Sequence, residues 1–519
     1  MKKYQPILLS LLSGSLFVAA WPVSNFTICI FLAFVPLFLI HHYSSKLLAA
    51  MGYTFLAILI WNVGTTWWIW NSTDVGSIAA MIANSLLMCL PWWGYATAKK
   101  KFSTALATLF FSCFWMLFEW IHLNWDLSWP WLTLGNVFAL QTSWIQWYEF
   151  TGVAGGTIWI LLVNVTIFIC WQKKQKLWGI LAFAALIIPV LLSYLIINKY
   201  ENSIAVNKEQ QVVIVQPNID PYEKFSSNSS YSQVALLCSL TKKAIDSTTQ
   251  LVVWPETAMS ANEEQSLTFM HPAYMPIVSL LQQYPQLNLL SGIEMYKNWG
   301  SEKKHPAARW SGNGFYYSSI NGAVLVNNQL QPTYYYKSKL VPGVEHLPNF
   351  LQFLAPVFEQ FGGSTGGYTK DTTARVLHLK QSAACAPVIC YESIYGNYVR
   401  EYVSKKANLL TIITNDGWWG NTPGHKQHLQ YAKLRAIENR RYVVRSANTG
   451  ISAVINDKGE IIQTLGWNLQ GTIKATVPLL QKPTFYTQYG DFLYLIFGFI
   501  GLAMVLLVIS SSKLKMENS

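Results

Sequence analysis

The sequence predicts a polytopic α-helical membrane body of about eight transmembrane helices joined to one large α/β domain. Three observations predict it. Only 12% of the 519 residues are charged while 52% are hydrophobic, whereas soluble domains carry about 25% charged residues. The deficit is uneven: residues 1–200 and 489–511 are apolar, and 201–488 have ordinary soluble composition. Within that stretch, strand-like runs alternate with helical patterns. The expected organisation is a seven-helix membrane domain over 1–200, one large domain over 201–488, and a final span with a short tail over 489–519.

The spans fall at roughly 6–20, 26–42, 50–70, 77–98, 104–122, 153–171, 177–197 and 489–511. The first is short, and with Lys2 and Lys3 ahead of it and Ala19–Ala20 behind it has signal-peptide character. It is read here as a retained span. The short loops give the orientation. Lys2, Lys3, Lys46, Lys99, Lys100, Lys101, Lys173, Lys174, Lys176, Lys513 and Lys515 fall on one side. The opposite loops, around Ser24–Asn25, Ser72–Gly76 and His122–Thr142, hold no Lys or Arg. Positive charge stays in the cytoplasm, so both termini are expected there and residues 201–488 outside.

The net charge of +12 does not suggest nucleic acid. Many of the lysines flank spans, and there is no basic stripe with interleaved aromatics. Trp67, Trp68, Trp70, Trp125, Trp129 and Trp131 read as an interfacial aromatic belt or a lipid-facing vestibule. Glu119, near the outer end of a span, is equally open to a structural hydrogen bond and to a substrate role.

The seven cysteines include no CxxC pair and no Cys/His ligand spacing, so no metal is expected. His425 and His428 have i, i+3 spacing but no third ligand nearby, and read as helix-surface or core residues. Three cysteines, Cys238, Cys385 and Cys390, lie in the soluble stretch. An odd number leaves at least one as a free thiol, a candidate nucleophile, or as an intermolecular partner.

Strand-like runs occur at 211–219, 251–256, 287–296, 314–327, 387–391, 409–415, 443–455 and 473–477, with helical patterns at 232–245, 393–406 and 425–441. Glycines 362, 363, 366 and 367 mark a loop over Gly362–Tyr368 that reads as a lid or a plain surface loop. Three segments then stand out. In Leu-Val-Val-Trp-Pro-Glu-Thr, 251–257, an apolar strand ends at Glu256, and strand ends in α/β folds face the ligand crevice. The segment Tyr-Tyr-Tyr-Lys-Ser-Lys-Leu-Val-Pro-Gly-Val-Glu, 334–345, offers Lys337, Lys339 and Glu345. An ammonium there would stabilise an oxyanion, with a carboxylate to position it. In Ala-Pro-Val-Ile-Cys-Tyr-Glu-Ser, 386–393, Cys390 closes a strand and opens a predicted helix, whose N-terminus would favour the thiolate. Alone, each has a plain alternative: a capping carboxylate, a basic surface loop, a buried inert thiol.

Together, and in this order, they resemble the Glu-Lys-Cys set of the nitrilase superfamily. The resemblance is closer to its membrane branch, the apolipoprotein N-acyltransferases, and covers nearly the whole chain. It is carried by Val-Gln-Pro-Asn-Ile (215–219), Trp-Pro-Glu-Thr (254–257), Lys-x-x-Leu-Val-Pro (337–342), Cys-Tyr-Glu (390–392), Thr-Asn-Asp-Gly-Trp-Trp-Gly (414–420), Arg445–Gly450, Pro-Trp-Leu (130–132) and Thr484–Asp491.

The resemblance implies an extracytoplasmic, periplasmic α-β-β-α sandwich and a multi-pass protein of the bacterial inner membrane. It implies Glu256 as general base, Lys337 as electrostatic stabiliser and Cys390 as nucleophile. Glu345, Tyr391 and Glu392 become supporting residues, and Phe225 and Trp418 substrate-binding aromatics. Where the family carries Pro-Phe-Gly-Glu, this chain has Pro342-Gly343-Val344-Glu345; Lys339 rivals Lys337, and Cys385 rivals Cys390. The implied reaction moves the sn-1 acyl group of a phospholipid, through a Cys thioester, to the N-terminal amine of a diacylglyceryl-cysteine apolipoprotein, without cofactor, in a monomer. The rivals are a membrane-anchored amidase using the same residues and a transporter with an external binding domain, which would need more ionisable residues within its spans.

Overall fold

The computed structural model describes residues 4–201, 208–224, 229–354, 367–380 and 383–517. Phe225 and residues 362–366 of the glycine-rich loop lie outside them. The chain divides into two compact units, Met1–Trp70 with Ser77–Asn202 and Tyr489–Ser519, and Asn71–Gly76 with Ser203–Gln488.

The first unit is all helical. Among the described residues, five helices are long and apolar enough to cross a membrane: Leu47–Asn71, Asp74–Ala98, Thr104–Leu123, Tyr148–Lys173 and Lys176–Tyr200. Gln5–Ala20, Thr27–Tyr43 and Phe492–Leu506 are shorter apolar helices. Each of the eight expected spans coincides with one of these. The interior is aromatic: Phe17 stacks on Trp61 at 4.2 Å, and the Phe34 ring stands edge-on to Trp115 at 4.9 Å.

Glu119 has a structural place here. It is buried, and its Oε1 accepts from Trp115 Nε1 at 3.0 Å and Leu134 N at 2.9 Å. Its Oε2 accepts from Thr157 Oγ1 at 2.8 Å and Tyr494 Oη at 2.9 Å. One carboxylate thus joins two internal helices, the 130s turn and the last helix. Close backbone approach adds to this: a Cβ on Gly135 would lie 2.0 Å from the Val153 carbonyl oxygen.

The second unit is built on two sheets. The first contains β1 (Glu209–Gln216), β2 (Leu251–Val253), β3 (Met259–Glu264), β4 (Asn288–Gly300), β5 (Arg309–Trp310), β6 (Tyr316–Asn327), β7 (Thr333–Tyr336) and β14 (Gly471–Pro478). Its order is β14-β1-β2-β4-β6-β5, with β3 beside β4 and β7 beside β6. The second runs β13-β12-β11-β10-β9-β8, from β8 (Leu377–His378), β9 (Ala384–Ile389), β10 (Leu409–Thr414), β11 (Val443–Ala447), β12 (Ser452–Ile455) and β13 (Ile461–Leu465).

Strands β1, β2 and β4 are parallel, as are β9, β10 and β11. These are the near-continuous apolar runs of the sequence, as strands covered on both faces must be. The helices Ser229–Ala244 and Met275–Gln283 bury Val234, Leu237, Ile277 and Leu280 against the first sheet. The helices Gly396–Ser404 and Pro423–Asn439 pack on the second. The sheets meet face to face, where Ser446 Oγ donates to the Val215 carbonyl and Ser452 Oγ to Gln216 Oε1. The result is the α-β-β-α sandwich.

Several boundaries differ from expectation. The run 443–455 is two antiparallel strands, β11 and β12, because Asn448–Ile451 turn the chain. The helix expected from Ser393 starts at Gly396, preceded by a 3-10 turn over Cys390–Ile394. The short strands β3, β5, β7, β8 and β13 carry too little periodic signal to be read, and the nine-residue helix Met275–Gln283 was not expected.

Glu119→Leu would strand four donors, each worth about 1–3 kcal/mol when unsatisfied. Its melting temperature in detergent is expected to fall by at least about 5 °C, and Glu119→Gln, which keeps one oxygen acceptor, should fall less. An unchanged Tm in Glu119→Leu would show that the carboxylate carries no such role.

Candidate active site

The candidate residues emerge at strand ends, Glu256 and Cys390 after parallel strands and Lys337 after the antiparallel β7. Glu256 lies three residues beyond β2, Lys337 immediately after β7, and Cys390 immediately after β9. Open α/β sheets place ligands at such carboxyl ends. All three are buried, at 5%, 1% and 9% exposure.

Lys337 is the hub. Its Nζ donates to Glu256 Oε1 at 3.1 Å and Glu345 Oε1 at 2.7 Å. Burial works against the ammonium, but the two carboxylates outweigh it and hold it firmly protonated. Asn321 completes the cluster: its Nδ2 donates to Glu256 Oε1 at 2.9 Å and Glu345 Oε1 at 3.3 Å. Glu256 Oε2 takes its own donor, Asn415 N at 3.1 Å, from the end of β10 in the other sheet.

The Pro342-Gly343-Val344-Glu345 departure does not disturb this geometry. The loop closes on itself, with Gly343 at φ +80° donating to the His346 carbonyl at 2.8 Å, and Val341 N donating to Glu345 Oε2 at 2.8 Å. Lys339 takes another course. Its Nζ sits over the Tyr395 and Tyr398 rings, at 5.2 and 5.8 Å. Lys337 thus lies among the carboxylates, and Lys339 lies on two tyrosine rings. Cys385 lies within β9, fully buried, where burial raises its thiol to about 12; it is a core residue.

Cys390 adopts φ +49°, the left-handed region that side chains adopt at a cost. The expected helix N-terminus is absent, since only a five-residue 3-10 turn follows. The expected thiolate is not favoured either. Burial first, then the Glu256 carboxylate, hold the Cys390 thiol well above its ordinary range, against the pull of Lys337. Both effects favour the neutral thiol, so a nucleophilic role for this sulfur would need a base to take its proton.

Glu392 fixes the cysteine against the lysine. Its Oε1 accepts from Tyr335 Oη at 2.5 Å, Ser338 N at 2.6 Å and Lys339 N at 3.3 Å, and its Oε2 from Ile389 N at 2.8 Å. One buried carboxylate thus clamps the strand before Cys390 to the segment after Lys337. Burial raises it to about 7 although these donors pull it down. Tyr391 is buried with its ring edge-on to Tyr395 at 5.4 Å. Trp418 is half-buried on the turn Asp416–Trp419, edge-on to Tyr222 at 5.4 Å.

Sequence reasoning missed Asn321, Asn415 and Lys224. The Lys224 Nζ donates to the Glu256 carbonyl at 2.8 Å and Thr257 Oγ1 at 2.7 Å. Burial lowers this ammonium to about 8, against the attraction of Glu256 and Glu294. Asn415 lies in the 414–420 motif without being singled out, and Asn321 is masked by Asn321-Gly322, a common turn pair. His425 and His428 are both core residues and do not converge. His425 Nε2 faces Asn421 Oδ1 at 3.2 Å, and His428 Nδ1 faces Asp416 Oδ1 at 2.9 Å.

A buried thiol, a buried carboxylate and a caged ammonium at the strand ends of an α-β-β-α sandwich are the groups that an acyl-transferring cysteine enzyme would need. The carbon-nitrogen hydrolase pattern matches residues 211–481, more than half of the chain, and the N-terminal domain of apolipoprotein N-acyltransferase matches 13–166. An apolipoprotein N-acyltransferase of Chlorobaculum tepidum is 29% identical over 94% of this chain and 93% of its own length. One from Rickettsia prowazekii is 29% identical over 75% and 74%. Among solved structures, a member of branch 10 of the nitrilase superfamily from Saccharomyces cerevisiae covers 53% of this chain and 91% of its own, at 15% identity and a TM-score of 0.38. The chain belongs to the carbon-nitrogen hydrolase family, in its apolipoprotein N-acyltransferase branch, and is an acyltransferase of bacterial membranes.

Two outcomes follow. Lys337→Met should lower the rate of acyl transfer by about 10²–10³-fold, whereas Lys339→Met should stay within about threefold; equal losses would return Lys339 to contention. A Cβ on Gly292 would lie 2.5 Å from Glu256 Cα. Gly292→Ala should therefore cost about 10²-fold in rate by moving the base, and a parental rate would show that Glu256 does not need its place.

Proposed function

We propose that this enzyme transfers the sn-1 acyl group of a phospholipid to the N-terminal amine of a diacylglyceryl-cysteine apolipoprotein through a thioester on Cys390. The observation that carries the reading is Lys337 Nζ held between Glu256 and Glu345, at 3.1 and 2.7 Å, beside a strand-end cysteine in a chain that also supplies apolar membrane helices.

In the first half-reaction Glu256 takes the Cys390 proton as the sulfur attacks the ester carbonyl carbon. Lys337 stabilises the oxyanion. The C–O bond breaks, Glu256 returns the proton to the leaving oxygen, and a lysophospholipid departs. In the second, the α-amine attacks the thioester and gives a proton to Glu256. The C–S bond breaks, the proton returns to sulfur, and the product is an amide. Glu345 supports the lysine, Glu392 and Tyr391 support the nucleophile, and Phe225 and Trp418 contact the substrates. Neither half-reaction calls for a cofactor.

The domains act as a seven-helix membrane domain over 1–200, a catalytic domain over 201–488 and an anchoring helix over 489–519. The lysine distribution supports cytoplasmic termini and a periplasmic catalytic domain in the inner membrane, and the enzyme works as a monomer. An amidase would use the same residues, but a soluble amide gives no role to so many apolar helices.

Mass spectrometry of the purified enzyme after incubation with phospholipid provides the test. A fatty-acyl thioester is expected on Cys390 and should vanish in Cys390→Ser; adding a diacylglyceryl-cysteine peptide should discharge it as an N-acyl peptide. An acyl adduct on another residue, or turnover without any adduct, would refute the scheme.

A further inference from the structure

A buried polar cluster lies behind the nucleophile and is not used by the mechanism above. The Cys390 carbonyl accepts from Ser393 Oγ at 2.7 Å and lies 3.2 Å from His428 Nε2. That same Nε2 is 2.9 Å from Ser393 Oγ. On the far side of the ring, Nδ1 lies 2.9 Å from Asp416 Oδ1 and 3.1 Å from Arg445 Nη2. Arg445 Nη2 also donates to Asp416 Oδ2 at 2.7 Å. Ser393, His428, Asp416 and Arg445 are all fully buried. Burial opposes the Asp416 carboxylate, but Arg445 and His428 hold it ionised.

Counting hydrogens assigns the direction of these bonds. Ser393 has one hydroxyl hydrogen, and it goes to the Cys390 carbonyl. The nitrogen facing both that oxygen and the serine oxygen must then be a donor, and Nδ1, which faces an Asp416 carboxylate oxygen on the other side, must donate as well. The ring rides on the helix Pro423–Asn439, a rigid element. Asp416, which orients it, directly follows Asn415, whose N–H supports Glu256.

We propose that His428 is a positioning residue: together with Ser393 it grips the Cys390 carbonyl and keeps the nucleophile in its left-handed backbone conformation, with Asp416 and Arg445 fixing the ring. A residue at φ +49° is strained and stays there only if its surroundings hold it. The cluster supplies that hold and links it, through the Asn415–Asp416 peptide, to the base. Ser393, His428 and Asp416 also stand at the spacings of a serine nucleophile and its relay. Their complete burial, and the use of the serine hydrogen on Cys390, give them to the cysteine instead.

The inference rests on Cys390 being the nucleophile. The test uses full-length enzyme in phospholipid nanodiscs, with the single-turnover rate of thioester formation expressed per titratable Cys390. His428→Ala should lower the maximal rate by about twentyfold or more with the half-saturating phospholipid content unchanged. His428→Gln, which restores an N–H donor at a similar reach, should recover at least about fivefold of that loss. A parental rate per Cys390 in His428→Ala, or Gln no better than Ala, overturns the proposal, since a role in stability alone would change only the number of titratable sites. Ser393→Ala is the second variant: a loss of about fivefold supports the proposal even where His428→Ala fails to fold, and a parental rate overturns it. Labelling of Ser393 by a fluorophosphonate would also overturn it. A parental enzyme forming no thioester on Cys390 removes the proposed function and this inference together, whereas a normal parental thioester with unaffected variants removes the inference alone.

Discussion

The catalytic unit depends on one buried ammonium. Lys337, at 1% exposure, lies between the carboxylates of Glu256 and Glu345. Taking these ions from water costs several kcal/mol each, and only close pairing with every remaining lone pair occupied makes that tolerable. Hence the surrounding donors: Asn321 Nδ2 on both carboxylates, Val341 N on Glu345, and Asn415 N on Glu256. These donors come from both sheets, so solvating the ammonium and docking one sheet on the other are a single requirement. Loss of the lysine would leave two facing carboxylates, an arrangement costing about 3–5 kcal/mol.

A third carboxylate does for geometry what the first two do for charge. Glu392 gathers backbone N–H groups from Ser338, Lys339 and Ile389. The segment after the lysine and the strand before the cysteine belong to different sheets, and nothing along the chain sets their separation. Glu392 sets it. This also accounts for the tolerance of the 342–345 loop to a changed sequence, because the loop is closed by its own hydrogen bonds and needs only to deliver Glu345.

What the sequence disclosed follows from what each signal encodes. The apolar helices and the parallel strands were legible because burial on all sides leaves long hydrophobic runs. Glu256 and Cys390 were legible because each ends such a run abruptly. Lys337 and Lys339 were not separable by pattern: two residues apart, they would share a face if the strand continued. The strand stops at Tyr336, and the hydrogen bonds of Glu392 redirect the backbone, so that one lysine enters the cluster and the other lies on two tyrosine rings. The thiolate expectation failed for a related reason. It assumed an α-helix directly after Cys390, and the chain makes a 3-10 turn there to place the carbonyl over His428. His428 itself was passed over because its helix is buried on nearly every side, which leaves no polar face against which an inward histidine would stand out. Asn321, Asn415 and Lys224 act on groups far away in sequence, and a single chain carries no record of such pairs.

The burial of the site fits acyl transfer better than hydrolysis. A hydrolase and a transferase can share base, ammonium and nucleophile; they diverge in what reaches the thioester. Here the base and the ammonium are almost fully withdrawn from solvent and the sulfur nearly so. A closed, water-poor site slows hydrolysis of a reactive intermediate and strengthens the Lys337 interaction with the oxyanion. It also keeps the proton on sulfur until a carbonyl arrives, which protects the cysteine, since oxidation tracks thiolate character and exposure. The burial that makes Cys390 a poor thiolate therefore favours an acyl-enzyme that persists until an amine displaces it.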